Sequence, residues 1–158
     1  MDDQLKKELH RIATTVIIYN DEGKYLITKR ALTKKAFPGK WTVPGGGLNT
    51  DDYTSLPPTT AAGQWYNSLE TSTRREIREE TNLEITKPTY LLDLTFIMPN
   101  GTPVLVLSFY AKYISGEVKY DEDTIDHAWV TAEEAKSYDL IEGIAEEIEM
   151  VDNLLKNK

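Results

Sequence analysis

At 158 residues with a formal net charge of −8 and no cysteine, the chain is sized for one domain that buries roughly two-thirds of its unfolded surface. It needs no disulfide framework and has neither a thiolate zinc site nor a cysteine nucleophile. The acidic balance argues against charge-driven nucleic-acid binding, and with no signal peptide and no apolar run of membrane-spanning length the chain reads as soluble and cytoplasmic.

Residues 2–11 are charge-rich, with Leu5 and Leu9 at helical spacing, and predict a short surface helix. The alternating β-branched run 12–19, the turn Asn20-Asp21-Glu22-Gly23 and the run 25–29 predict a hairpin of core strands. Residues 30–40 hold the one basic cluster, Arg30, Lys34, Lys35 and Lys40. It reads as a candidate phosphate-contacting loop or as an ordinary solvated one. After the turn Phe37-Pro38-Gly39 and a short strand at 41–43 comes Pro44-Gly45-Gly46-Gly47, where missing side chains let the backbone approach a ligand or an ion.

Residues 48–66 show no clear period and contain Pro57-Pro58, a length that in a compact domain usually marks a functional or disordered loop. Tyr53, Trp65 and Tyr66 are candidates to stack on a nucleobase or to pack on the next helix. That helix is predicted over residues 68–81, opened by a capping box with Asn67 at the N-cap and Glu70 three residues on, and closed at Asn82, which tolerates a left-handed backbone. Near its end stand Arg75-Glu76-Ile77-Arg78-Glu79-Glu80. At about 100° per residue, Glu76, Glu79 and Glu80 share one face, although Glu76 and Glu80 repel as an i,i+4 pair and all three sit at the negative end of the helix dipole. A hard divalent cation would compensate them; a solvated charged face is the other reading.

Residues 90–98 and 104–113 flank Pro99-Asn100-Gly101-Thr102 and predict a second hairpin. Shorter extended pieces are expected at 117–120 and 127–130, around the acidic loop Asp121-Glu122-Asp123, a possible source of one more carboxylate. His127 reads as a strand residue with no nucleophile to pair with. Thr131-Ala132-Glu133-Glu134 is a capping box opening a short helix, and apolar residues at Ile141, Ile144, Ile148, Val151 and Leu155 predict an amphipathic helix over 140–155. No internal repeat or linker divides the chain.

Gly46 and, after an insertion, Arg75-Glu76-Ile77-Arg78-Glu79-Glu80-Thr81-Asn82-Leu83 together resemble the Nudix box, the signature of the Nudix hydrolase family. Its pattern is glycine, five residues, glutamate, seven residues, then Arg-Glu-apolar-x-Glu-Glu-x-Gly-apolar. The segments around Trp41 and Trp129 support the likeness over most of the chain. The resemblance implies an α/β fold, a mixed sheet sandwiched between helices, as a single domain over 1–158. It implies a metal site of Glu76, Glu79 and Glu80 with the Gly46 carbonyl, taking Mg²⁺ or Mn²⁺, with Glu122 a further candidate. Arg75 would orient the carboxylates, and Glu79 or Glu80 would accept the proton of the attacking water. Arg30, Lys34, Lys35, Lys40 and Trp65 are candidates for the substrate, a small-molecule nucleotide or other diphosphate cleaved by metal-dependent hydrolysis. No nucleic-acid or membrane partner is expected, and the protein would be a monomer or homodimer.

Two departures stand out. Counted back from Arg75, the family's first glutamate falls on Asn67, which loses a charge that supports the metal ligands in relatives; Asp51 or Asp52 could replace it in space. The final glycine is Asn82. The first departure motivates an alternative, a nucleotide-binding sensor with weak or no hydrolysis. An isopentenyl diphosphate isomerase would rely on a cysteine that this chain lacks.

Overall fold

The computed structural model describes residues 2–158. After the short helix Asp3–Glu8 (α1), the long β-branched run Arg11–Tyr19 (β1) lies parallel to Pro103–Ser115 (β7) over nine residue pairs, from Arg11↔Val104 to Tyr19↔Lys112. Tyr25–Arg30 (β2) follows the predicted turn, but it meets β1 only at Tyr19↔Tyr25. It then diverges to pair with Trp41–Thr42 (β3) and with Thr124–Val130 (β8). The predicted hairpin is therefore splayed. The edge of β1 that β2 leaves is taken by the glycine run Gly45–Gly47 (β4), with Thr14 opposite Gly46, and by the bond from Val16 N to Pro44 O.

On β1, side chains alternate between faces. Ile17 joins Ile27, Val43, Tyr110 and Val130 under Ile144, Ile148 and Val151 of the helix Ile144–Lys156 (α5). Val16 and Ile18 join Leu26, Leu83 and Ile85 under Ile77 of the helix Ser68–Thr81 (α3). The two helices thus cover opposite faces of one mixed sheet, the α/β/α sandwich expected. Ile77 is the only large apolar side chain of α3 that is fully buried, so truncating it to alanine should cost about 2–5 kcal/mol. The second hairpin forms as predicted, Thr89–Ile97 (β6) pairing antiparallel with β7 across the Asn100-Gly101 turn, while Glu84–Ile85 (β5) pairs with the end of β7.

Several boundaries differ from expectation. Asn67 adopts a left-handed backbone (φ 62°) and makes no side-chain cap bond, so the capping box there does not form; side-chain capping needs an extended backbone at that position. At the other end Asn82 is left-handed (φ 65°) as predicted, and its side chain donates to Glu117 O. The second capping box does form, with Thr131 and Glu134 bonding reciprocally to open Ala132–Ala135 (α4). The last helix starts at Ile144 rather than at 140, because the preceding segment bonds β3: Trp41 N donates to Asp139 O and Ile141 N to Trp41 O. Residues 117–120 form no strand. Inside the unpatterned stretch 48–66, Asp51–Thr54 is a short helix (α2). Among the described residues no helix is long and apolar enough to cross a membrane.

Candidate active site

The glycine strand β4 lies against the acid-bearing end of α3. Gly45 N donates to Glu80 Oε2 at 3.2 Å, and the buried Thr73 hydroxyl donates to Thr14 Oγ1 at 3.2 Å, so helix and strand are fixed together. Gly46 has to be glycine for a local reason: a Cβ there would stand 2.5 Å from Glu76 Oε2 and 2.7 Å from its Cδ. The missing side chain leaves a cradle occupied by the Glu76 carboxylate.

Burial raises the pKa of both glutamates. Glu80 is pushed up to about 7 by desolvation, reinforced by Asp121 and Glu76, while the Gly45 amide and Arg30 oppose the shift. Glu76 is raised by desolvation too, against the pull of the neighbouring Arg75. Glu79 differs, with a side chain 58% exposed, its carboxylate 4.0 Å from Arg75 Nε.

Arg75 is held from a direction the sequence left open. Its Nη2 meets Asp52 Oδ1 at 2.5 Å and Glu76 Oε1 at 3.1 Å. Asp52, on α2, is only 4% exposed and also accepts from Ser72 Oγ at 3.1 Å and from Asn49 N at 2.8 Å. Burial alone would push Asp52 up, but the Asn49 amide, the Ser72 hydroxyl and the Arg75 guanidinium together hold it below the ordinary carboxylate range. Counted forward from Gly46, five residues intervene before Asp52, the spacing of the acid in the glutamate motif. Counting backward from Arg75 gives Asn67 instead; of the two, Asp52 is the one that contacts Arg75 and braces it.

A cavity of about 730 Å³ is lined by residues of the sheet and of both helices. Glu76 and Glu80 line it from α3, Ile144 and Glu147 from α5, and Leu94, Phe96, Val106 and Ser108 from β6 and β7. Of the predicted substrate residues, Arg30 lines this cavity, its Nε donating to Ala36 O at 2.9 Å. Lys34, Lys35, Lys40 and Trp65 do not line it. Lys34 pairs with Asp123 at 3.4 Å and Lys40 with Asp139 at 2.8 Å. Trp65 closes the inserted loop on itself, donating from Nε1 to Leu56 O and packing on Tyr53 at 5.4 Å between ring centroids. In the acidic loop, Asp121 and Asp123 line the cavity and Glu122 does not.

Sequence reasoning passed over Glu147 and Arg11, both of which line the cavity. Glu147 is 6% exposed, and its Oε1 has no hydrogen-bond partner. Burial raises its pKa, the Ser108 hydroxyl opposes that, and Glu146 adds to it. Ser108 in turn shares a hydrogen bond of 3.0 Å with Thr15. Nothing in the local sequence distinguishes Glu147 from the other acids of this helix.

Among the described residues no three acidic or histidine side chains already converge on one point. The donor set nonetheless suits a hard divalent cation. Glu76 and Glu80 are both buried enough to be raised, Asp121 acts on both, and the Gly46 cradle fixes one of them. Oxygen-only donors of this kind fit Mg²⁺ or Mn²⁺ rather than a soft metal.

A sequence profile of the NUDIX domain matches residues 9–153. Nucleoside triphosphatase NudI of Escherichia coli O17:K52:H18 (strain UMN026 / ExPEC) is 33% identical over 134 residues, 78% of this chain and 84% of that one. The NudI of Klebsiella pneumoniae (strain 342) is 29% identical over 133 residues with the same coverage. In fold, a MutT protein from Methanosarcina mazei Go1 superposes with a TM-score of 0.70 at 22% identity, over 94% of this chain and 96% of that one. The NUDIX domain of Shewanella oneidensis NrtR, solved with ADP ribose, reaches 0.73 at 17% identity over 98% and 94%.

Proposed function

The chain belongs to the NUDIX domain family, and on that premise we propose that it hydrolyses the pyrophosphate linkage of a nucleoside triphosphate, with Glu76, Glu80 and Glu79 holding a divalent cation. The observation that carries this reading is the seating of Glu76 and Glu80 in the wall of a cavity large enough for a nucleotide, against a glycine strand that leaves room for the Glu76 carboxylate. Relatives called nucleoside triphosphatases support the substrate class.

A divalent cation bound by these carboxylates would neutralise the phosphates and lower the pKa of a bound water. The chain's own groups do the rest. Arg75, held by Asp52, keeps Glu76 aimed inward. The Gly45 amide fixes one oxygen of Glu80, leaving the other free for a ligand. Arg30 offers positive charge to the phosphates from the cavity wall. Glu79, exposed and on the same helix face, is the carboxylate free to turn toward the site and take the proton of the attacking water. Water adds to one phosphorus, the bridging P–O bond breaks, and a nucleoside monophosphate and pyrophosphate leave.

The binding-only alternative was motivated by the charge missing at Asn67. With Asp52 bracing Arg75 that motive is gone. The test is a panel of the common nucleoside triphosphates, assayed with Mg²⁺ or Mn²⁺ and with chelator, with products resolved by chromatography. Metal-dependent release of pyrophosphate is expected; nucleotide binding without turnover under every condition would leave the sensor reading standing.

A further inference from the structure

Glu147 has no part in the chemistry just described, yet it is the most anomalous group lining the cavity. A glutamate 6% exposed, on the buried stripe of α5 between Ile144 and Ile148, loses its hydration on folding. Such a group is ordinarily matched by donors. Here the hydroxyl of Ser108 partners the carboxylate and also shares a hydrogen bond of 3.0 Å with Thr15. Oε1 is left with no partner among the described residues. A purely structural position on this stripe would be filled better by leucine or methionine.

The cavity supplies a reason for the carboxylate. It is lined by Glu76 and Glu80 from α3, by Glu147 from α5, and by the apolar Val106, Leu94 and Phe96 of the sheet. A flat aromatic ring suits such a wall, and a ring that carries N–H groups on its edge would supply the donor that Oε1 lacks. Phosphate, rich in acceptors and negative charge, would be repelled there. If the phosphates lie at the acids of α3, the other end of the same molecule is the base.

We propose that Glu147 is a specificity-determining residue that reads the nucleobase, accepting a hydrogen bond from an N–H on its pairing edge. The proposal rests on the hydrolase reading for the placement of the phosphates. Two kinds of donor share this chemistry: the exocyclic amino group of cytosine, adenine or guanine, and the ring imino group of uracil or thymine. Ser108 stands beside the carboxylate to orient it.

The test compares wild type with Glu147→Gln and Glu147→Leu on ATP, GTP, CTP, UTP and dTTP, with thermal melting as the check on folding. In Glu147→Leu, which has no acceptor, loss of the hydrogen bond to a substrate N–H should lower kcat/KM for the preferred base by at least about 10-fold more than for the least preferred one, and Glu147→Gln, which keeps an acceptor oxygen, should show a smaller change in the same order. The loss should lie in KM, with kcat within about threefold of wild type, because the acids of α3 are untouched. Discrimination between CTP and UTP identifies the donor as amino or imino. Calorimetric affinities for the same five nucleotides, measured with Ca²⁺ as the divalent ion, give the same ratio in the absence of turnover. If wild type hydrolyses none of the five but the substitutions still reorder their affinities, the hydrolase reading fails and Glu147 keeps its role. If both variants fold and leave the order of bases unchanged in rate and affinity, or if they slow every base equally, Glu147 is a buried structural carboxyl and the proposal is overturned.

Discussion

The two helices that lend residues to the cavity, one from each face of the sheet, carry their acids in opposite ways. On α3, fourteen residues long, Ile77 is the one large apolar side chain fully buried, and its acids come as a group, tied down from outside. Gly45 bonds Glu80, Arg75 bonds Glu76, and Asp52 bonds Arg75. On α5, three apolar residues, Ile144, Ile148 and Val151, are buried along one stripe, and a single carboxylate sits among them with one oxygen unpaired. The first arrangement is a charge cluster held by a network, which on the proposed reading a cation would complete. The second is one polar atom in an apolar wall, completed by a neutral donor.

The largest effects should come from removing charge on α3. Glu80→Gln and Glu76→Gln should each reduce kcat by about 10²–10⁴-fold, with little change in the order of bases, as measured by steady-state kinetics on two nucleotides. A change in base preference without a fall in kcat would reverse the division between the two helices.

Next come the glycines, which separate geometry from folding. Gly46→Ala forces the flexible end of Glu76 out of its cradle, so activity should fall on the order of 10²-fold while the melting temperature moves little. Gly45→Ala instead drives a Cβ into the Thr14 carbonyl and close to Thr15 Cα, both backbone. It should lower stability by about 1–3 kcal/mol, because β1 and β4 must separate.

Asp52→Ala should reduce activity by roughly 10–100-fold, the usual cost of losing a group that orients a ligand-holding side chain. Asp52→Asn adds a pH test. The folded pKa of Asp52 lies below its ordinary value of 3.8, so its contribution to stability is present above that value and is lost as the pH falls through the lower, folded one. The wild type should therefore lose more stability on acidification than Asp52→Asn, as read by denaturant melts across the acid range.

The smallest effect concerns α5 and has the opposite sign. Glu147 has a folded pKa above its ordinary value of 4.5. Its contribution is fully present below that value and is lost as the pH rises through the folded one. Glu147→Gln should flatten the fall in stability with rising pH, with the melting curves of the two proteins diverging toward neutral pH. A Glu147→Gln profile parallel to wild type would mean that the carboxylate is compensated after all.

Much of this architecture was readable before any folding. Terminal residues located α3, the turn Pro99-Asn100-Gly101-Thr102 located the second hairpin, and the spacing of Glu76, Glu79 and Glu80 gave a shared face, because each of these is set by residues within a few positions of one another; the first turn was right, but its strands splay after one pair. What failed was long-range. The register of the acid before the helix was miscounted to Asn67, because an insertion hides spacing from a linear count; only the contact of Asp52 with Arg75, twenty-three residues on, fixed it. The basic loop read as one unit, yet pairing with Asp123 and Asp139 draws Lys34 and Lys40 aside and leaves Arg30 in the wall. Glu147 was invisible, since a glutamate inside an apolar stripe has no local signature.

By itself, then, the sequence determined the helix that carries three acids on one face and the glycine run that precedes it, since helical geometry and the absence of Cβ atoms act over a few residues. Only the tertiary structure decided which of those acids enter the cavity, that Asp52 braces Arg75, and that Glu147 stands in the opposite wall. Those facts depend on β1 and β2 splaying apart to admit the glycine strand, a pairing between segments distant in the chain that no local pattern encodes.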